Sequence, residues 1–108
     1  MTDELKVHWR GNDVGKMSDL QPDMWYVDGS WTPTSTPESD AFEALVGEFN
    51  VKSVMDDPTK GTRIMIFDSN DPDHSGTDAL VCSLSDGRLF IRRVHKPEAV
   101  EWLRNNVN

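Results

Sequence analysis

The chain has 108 residues, with 19 acidic against 11 basic side chains, a formal net charge of −8 and a single cysteine. That length supports one hydrophobic core and not two, so a single domain over 1–108 is expected. The lone Cys82 excludes an internal disulfide and a cysteine-rich zinc site. No window holds the roughly eighteen apolar residues of a membrane span, and Met1-Thr2-Asp3-Glu4 offers no basic leader, which together predict a cytoplasmic protein without membrane contact.

In chain order, Leu5 to Arg10 and Val14 to Ser18 read as strands of an opening hairpin, joined by the turn-forming Gly11-Asn12-Asp13. Met24 to Asp28 reads as a third strand, with Asp28-Gly29 turning the chain so that Trp31 folds back beside Trp25 or Tyr26. The proline- and hydroxyl-rich stretch Thr32 to Ser39 opposes both helix and ladder. Phe42, Leu45, Val46 and Phe49 then fall at helical spacing, predicting a helix from Pro37 or Asp40 to Phe49, capped by Thr36 or Ser39.

Val51 to Met55 fits either a strand or an extension of that helix, and Arg63 to Phe67 reads as a strand after the turn at Asp56 to Gly61. Ala79 to Leu84 and Leu89 to Val94 flank Asp86-Gly87, the signature of a two-residue type I′ hairpin. That turn sets Leu84 opposite Leu89, Ser83 opposite Phe90 and Cys82 opposite Ile91, placing Leu80, Cys82, Leu84, Leu89 and Ile91 on the core face. Pro97 to Val107 closes the chain as a helix with Ala99, Val100, Leu103 and Val107 in its stripe and Trp102 on its flank. The expected class is α+β: a mainly antiparallel sheet of five to six strands with two helices packed on it, in the order β-β-β-α-β-β-β-α.

The segment Met24 to Trp31 concentrates costly side chains, since each buried aromatic hides roughly 150–250 Å². The set Trp9, Trp25, Tyr26 and Trp31 forms either a core layer or a stacking surface. Strand alternation separates Trp25 and Val27 from Met24 and Tyr26, so one aromatic should face outward. Tyr26, Trp31 and the intervening Asp28 are therefore the candidate binding residues.

No motif supplies catalysis. Ser30 in Asp-Gly-Ser-Trp lacks the second glycine of a nucleophile elbow, and Gly11, Gly15 and Gly29 make no phosphate cradle. His8, His74 and His95 show no zinc spacing, and Cys82 on a core face should be inert. The oxygen-rich loop Asp68 to Asp78 invites calcium, but Pro72, Asp73 and Ala79 stand where an EF-type loop needs a ligand, glycine and glutamate. Adjacent acids such as Asp56 with Asp57, or Glu38 with Asp40, read as turn and helix caps. The expectation is no metal, no cofactor and no enzymatic activity.

Charge is unevenly spread: residues 1–86 carry 17 acidic and 6 basic side chains, and residues 87–108 carry 2 and 5. An acidic body repels a nucleic-acid backbone, so no nucleic-acid binding is expected unless Arg88, Arg92, Arg93 and Lys96 gather into a patch. These features favour a protein-interaction module, inhibitor or immunity-like, whose acidic surface meets a basic protein partner. The alternative is a small-ligand or carbohydrate binder using exposed aromatics near Trp25 to Trp31.

Gly11-x-x-Val14-Gly15-x-Met17, a Trp-containing strand ending in Gly29-x-Trp31-x-Pro33, a helix opening on Phe42, and the Asp86-Gly87 turn followed by Arg92 resemble a family of small uncharacterised bacterial proteins. The likeness spans roughly Gly11 to Phe49 and the last hairpin. It departs where that family often shows a Pro-Trp step and this chain has Met24-Trp25-Tyr26. The resemblance implies a bacterial, cytoplasmic setting and no catalytic residues.

Overall fold

A computed structural model describes residues 4–68 and 76–108. Its strands are β1 (Leu5–Trp9), β2 (Asn12–Asp23), β3 (Tyr26–Pro33), β4 (Thr62–Asp68), β5 (Thr77–Ser85) and β6 (Arg88–Val94). The helices are α1 (Pro37–Val46), α2 (Val51–Asp56) and α3 (Pro97–Asn106), with a 3₁₀ turn at Pro58–Lys60. All strand pairings are antiparallel, and they close into a barrel in the order β1-β2-β3-β6-β5-β4.

Closure corrects the expected open α+β sheet with helices layered on it. Val7 of β1 pairs with Gly15 of β2 on one side and with Ile66 of β4 on the other, so among the described residues no edge strand remains. The barrel interior is filled by side chains: Val7, Val14, Met17, Val81, Leu89 and Ile91 are all fully buried. The helices do not form one layer. Helix α1 packs against β2 and β5 and sends Phe42 and Val46 into the barrel core, whereas Val54, Leu103 and Val107, from α2 and the α3 segment, cover Leu80 and Cys82 on the outer side of β5.

Local chemistry accounts for the elements. Thr36 caps α1 by accepting from the Ser39 amide, and Asn50 caps α2 by accepting from the Ser53 amide, which resolves Val51 to Met55 as helix. Helix α1 ends at Val46, short of Phe49. The Asp86-Gly87 turn has φ of 55° and 74°, the paired positive values of a type I′ hairpin. The first hairpin turns on Arg10-Gly11, not on Gly11-Asn12-Asp13, again with two positive φ values, of 52° and 82°.

Register shifts in β5 and β2, beside a further one between Val7 and His8 of β1, help decide which side chains face inward. In β5, Ser83 pairs with Phe90 and Leu84 with Leu89, but the register then slips so that Val81, not Cys82, opposes Ile91. The extra residue lets Val81 and Leu84 both approach the barrel core and turns Leu80 and Cys82 outward beneath the helices. The core face expected for Leu80 and Cys82 is corrected accordingly. In β2, the register slips between Ser18 and Gln21, with Asp19 in the left-handed region at φ 49°.

The third strand also differs from expectation. There is no turn at Asp28-Gly29; β3 runs straight through it, and the chain turns instead at Met24-Trp25, between the paired Asp23 and Tyr26.

Candidate functional site

The candidate residues Tyr26, Asp28 and Trp31 do not form one site. Asp28 is engaged by Arg88, whose Nε donates to both carboxylate oxygens at 3.1 Å. Arg88 also reaches Ser30 Oγ at 3.2 Å, Asp19 Oδ2 at 3.4 Å and the Asp19 carbonyl at 3.2 Å, clamping β2, β3 and β6 together. Tyr26 lies half-buried against Phe90, with ring centroids 5.4 Å apart. Trp31 packs on the barrel core, its centroid 5.4 Å from that of Phe42. A Cβ built on Gly15 would lie 2.5 Å from the Trp31 ring, so that indole rests directly on glycine backbone. Asp28 thus serves as a clamp and Trp31 as packing.

The exposed aromatics are elsewhere. Trp25 is 50% exposed and Trp102 is 45% exposed, and both line one groove of about 370 Å³. Trp25 comes from the β2–β3 turn and Trp102 from α3. Arg93 holds that turn twice: its backbone amide donates to the Trp25 carbonyl at 2.7 Å, and its Nη2 donates to the Met24 carbonyl at 2.7 Å. Met24 sits at φ 56°, a left-handed conformation that this anchoring sustains.

Leu80 and Leu103 supply apolar groove lining, while the polar side chains that line it are Arg92, Arg93, His95 and Lys96. No carboxylate among the described residues lines the groove. Among the described residues, neither arginine nor Lys96 makes an ion pair. Lys96 also occupies the N-cap position of α3 without supplying a side-chain cap.

Arg92, Arg93 and Lys96, expected as a conditional patch, thus share the groove with Trp102, expected on the flank of its helix. The signal for joining them was the basic run from Arg92 to Lys96, interrupted by Val94 and His95, immediately before a helix bearing an off-stripe tryptophan. Arg88, named with that patch, lies instead in the Asp28 clamp.

The remaining chemistry-bearing groups have structural surroundings. Burial pushes the Cys82 thiol up to about 11, against a lesser opposing pull from Arg92, so it is protonated at neutral pH. His8 packs on Phe67 with ring centroids 4.7 Å apart. Asp57 caps the 3₁₀ turn; bonds from the Thr59 hydroxyl and amide hold its carboxyl below the usual carboxylate range. Of the oxygen-rich loop, residues 69–75 lie outside the described residues, and Asp78 is forked by Arg104 at 3.2 and 2.8 Å. Among the described residues, no group of three or more His, Cys, Asp or Glu side chains is placed to hold a metal ion. Nor is any helix among them long and apolar enough to cross a membrane. Comparison with models of protein families, with curated proteins and with solved structures finds no match to this chain.

Proposed function

We propose that this chain is a non-enzymatic binding module that accepts a small planar ligand in the groove between the β2–β3 turn and α3. The observation that carries this reading is the pair Trp25 and Trp102, two half-exposed indoles from opposite ends of the chain lining one groove. A volume of about 370 Å³ lies within the roughly 300–1,000 Å³ range of small-molecule sites. Exposed tryptophans on a mostly apolar floor offer faces on which a ring can stack. The reading relocates the expected stacking surface: Trp25 belongs to it, Trp31 does not.

Titration of intrinsic tryptophan fluorescence with a panel of planar compounds tests this. A stacking ligand should shift or quench emission in the parent protein. It should do so much less in Trp25→Leu and Trp102→Leu, which alter exposed side chains and should fold. A panel that leaves the parent emission unchanged would count decisively against the groove.

A second reading, an interaction module meeting a basic protein partner, draws on α1. Glu38 and Asp40 occupy its exposed first turn, Glu43 and Glu48 follow, and no basic residue lies in its last turn. Pull-down at low and high salt tests it: a salt-sensitive basic partner lost on Glu38→Gln/Asp40→Asn supports it, and no captured protein at either salt opposes it.

A further inference from the structure

We propose that the ligand of this groove is a small organic anion, a planar ring stacked on Trp25 or Trp102 and bearing a carboxylate, sulfonate or phosphate that Arg92 and Lys96 hold. The inference rests on the groove being the binding site and names the chemistry it selects.

Residues 87–108 carry five basic side chains: Arg88, Arg92, Arg93, Lys96 and Arg104. The two outside the groove are each neutralised, Arg88 by Asp28 at 3.1 Å and Arg104 by Asp78 at 2.8 Å. The three in the groove have no ion-pair partner among the described residues, in a chain whose acidic side chains outnumber basic ones 19 to 11. Three unpaired cations beside apolar lining make a local positive field on a chain of net charge −8; the other basic side chains without an ion pair among the described residues, Lys6, Arg10, Lys52, Lys60 and Arg63, do not line this groove.

The three cations have different roles. Arg93 is committed to the Met24 carbonyl and positions the turn that presents Trp25, so it is a positioning residue. The Arg92 and Lys96 side chains are exposed, make no side-chain hydrogen bond among the described residues, and remain available to a ligand. The Arg92 guanidinium carbon lies 6.0 Å from the Tyr26 ring centroid, at the outer limit of a cation–π contact that leaves its donors free. Leu80 and Leu103, each 3% exposed, lower the local polarizability and strengthen an ion pair formed over them. Size and charge select a small anion over a polymer. The groove holds about 370 Å³, the size of a small molecule, and a long polyanion extending beyond it would be repelled by a chain of net charge −8.

Calorimetry and tryptophan emission on the full chain, at low salt, with ring-matched probes test the proposal: naphthalene-2-sulfonate, neutral 2-naphthol and cationic 2-naphthylmethylamine. The sulfonate should bind about fivefold to tenfold more tightly than 2-naphthol, the amine most weakly, as two partly exposed ion contacts allow. In Arg92→Gln/Lys96→Gln the sulfonate should fall to the level of 2-naphthol, whereas Lys6→Gln, on a distant strand, should preserve the preference. Probes 2-naphthoate and 2-naphthyl phosphate separate a carboxylate from a phosphate ester; both should exceed 2-naphthol. Equal binding of sulfonate and 2-naphthol would overturn the anion while leaving the groove intact. Failure of every ring to bind would overturn both. Tighter binding of a single-stranded oligonucleotide than of any naphthalene anion would replace the small ligand with a nucleic acid.

Discussion

The Thr62 hydroxyl joins three parts of the fold, and its removal should cost more than its size suggests. It accepts from Trp9 Nε1 at 2.9 Å and donates to the Asn108 carbonyl at 2.6 Å, tying β1, β4 and the segment after α3 together. Thr62 is 1% exposed and Trp9 6%, so water cannot replace either partner without rearrangement. Thr62→Val keeps the shape and deletes the hydroxyl. The Trp9 indole N–H then lies buried without an acceptor, a loss of roughly 1–3 kcal/mol. The Asn108 carbonyl suffers less, because it also accepts from the Arg63 amide at 2.7 Å. Taking about 2 kcal/mol for the indole and about 1 kcal/mol for the lost bond to Asn108, less at most about 0.8 kcal/mol returned by the added methyl, the net destabilisation should be about 2 kcal/mol, lowering Tm by roughly 10 °C in a domain of this size. Thr62→Ser keeps both bonds and loses one buried methyl, about 1 kcal/mol. Urea unfolding followed by circular dichroism should therefore order the proteins parent, Ser, Val. Exchange of the Trp9 indole proton should quicken in Val alone. If Val is as stable as the parent, or Ser is worse than Val, packing and not hydrogen bonding governs this junction.

Two further predictions concern the core and its cover. Gly15→Ala should destabilise the barrel by about 2–4 kcal/mol, because its Cβ would meet the Thr32 carbonyl and the Trp31 ring, each at 2.5 Å; denaturant midpoints compared with Gly87→Ala, which meets nothing within 4 Å, separate collision from turn strain. Cys82 has a folded pKa raised to about 11 from 9.0, so the stability it contributes is complete below pH 9 and is lost as pH rises toward 11. Urea midpoints across that window should fall by an amount on the order of 2 kcal/mol in the parent and by less in Cys82→Ala; identical slopes would remove the thiol from the account.

What the sequence determined by itself is local. Asp86-Gly87 dictated a type I′ turn and with it the pairs Leu84 with Leu89 and Ser83 with Phe90, because the turn's φ values fix the register of its nearest neighbours. The spacing of Phe42 and Val46, and of Leu103 and Val107, marked the buried side of each helical segment, because helical periodicity is a property of the segment alone.

Tertiary structure decided the rest. Closure depends on β1 meeting β4 across more than half the chain, and no local pattern distinguishes a strand with two partners from an edge strand. The slip at Cys82 exchanged the faces of Leu80 and Cys82, because one extra residue inverts an alternation of period two and only the helices outside make that inversion favourable. The same applies to the candidate site. Asp28 was a candidate binding residue until Arg88 crossed from β6 to bind it, and Trp31 fitted either core or stacking surface until Phe42 of α1 packed against it. Arg92, Lys96 and Trp102 are neighbours along the chain, but Trp25 joins them only because Arg93 fixes the β2–β3 turn beside the end of β6, an adjacency set by three-dimensional packing, to which periodicity and composition are blind.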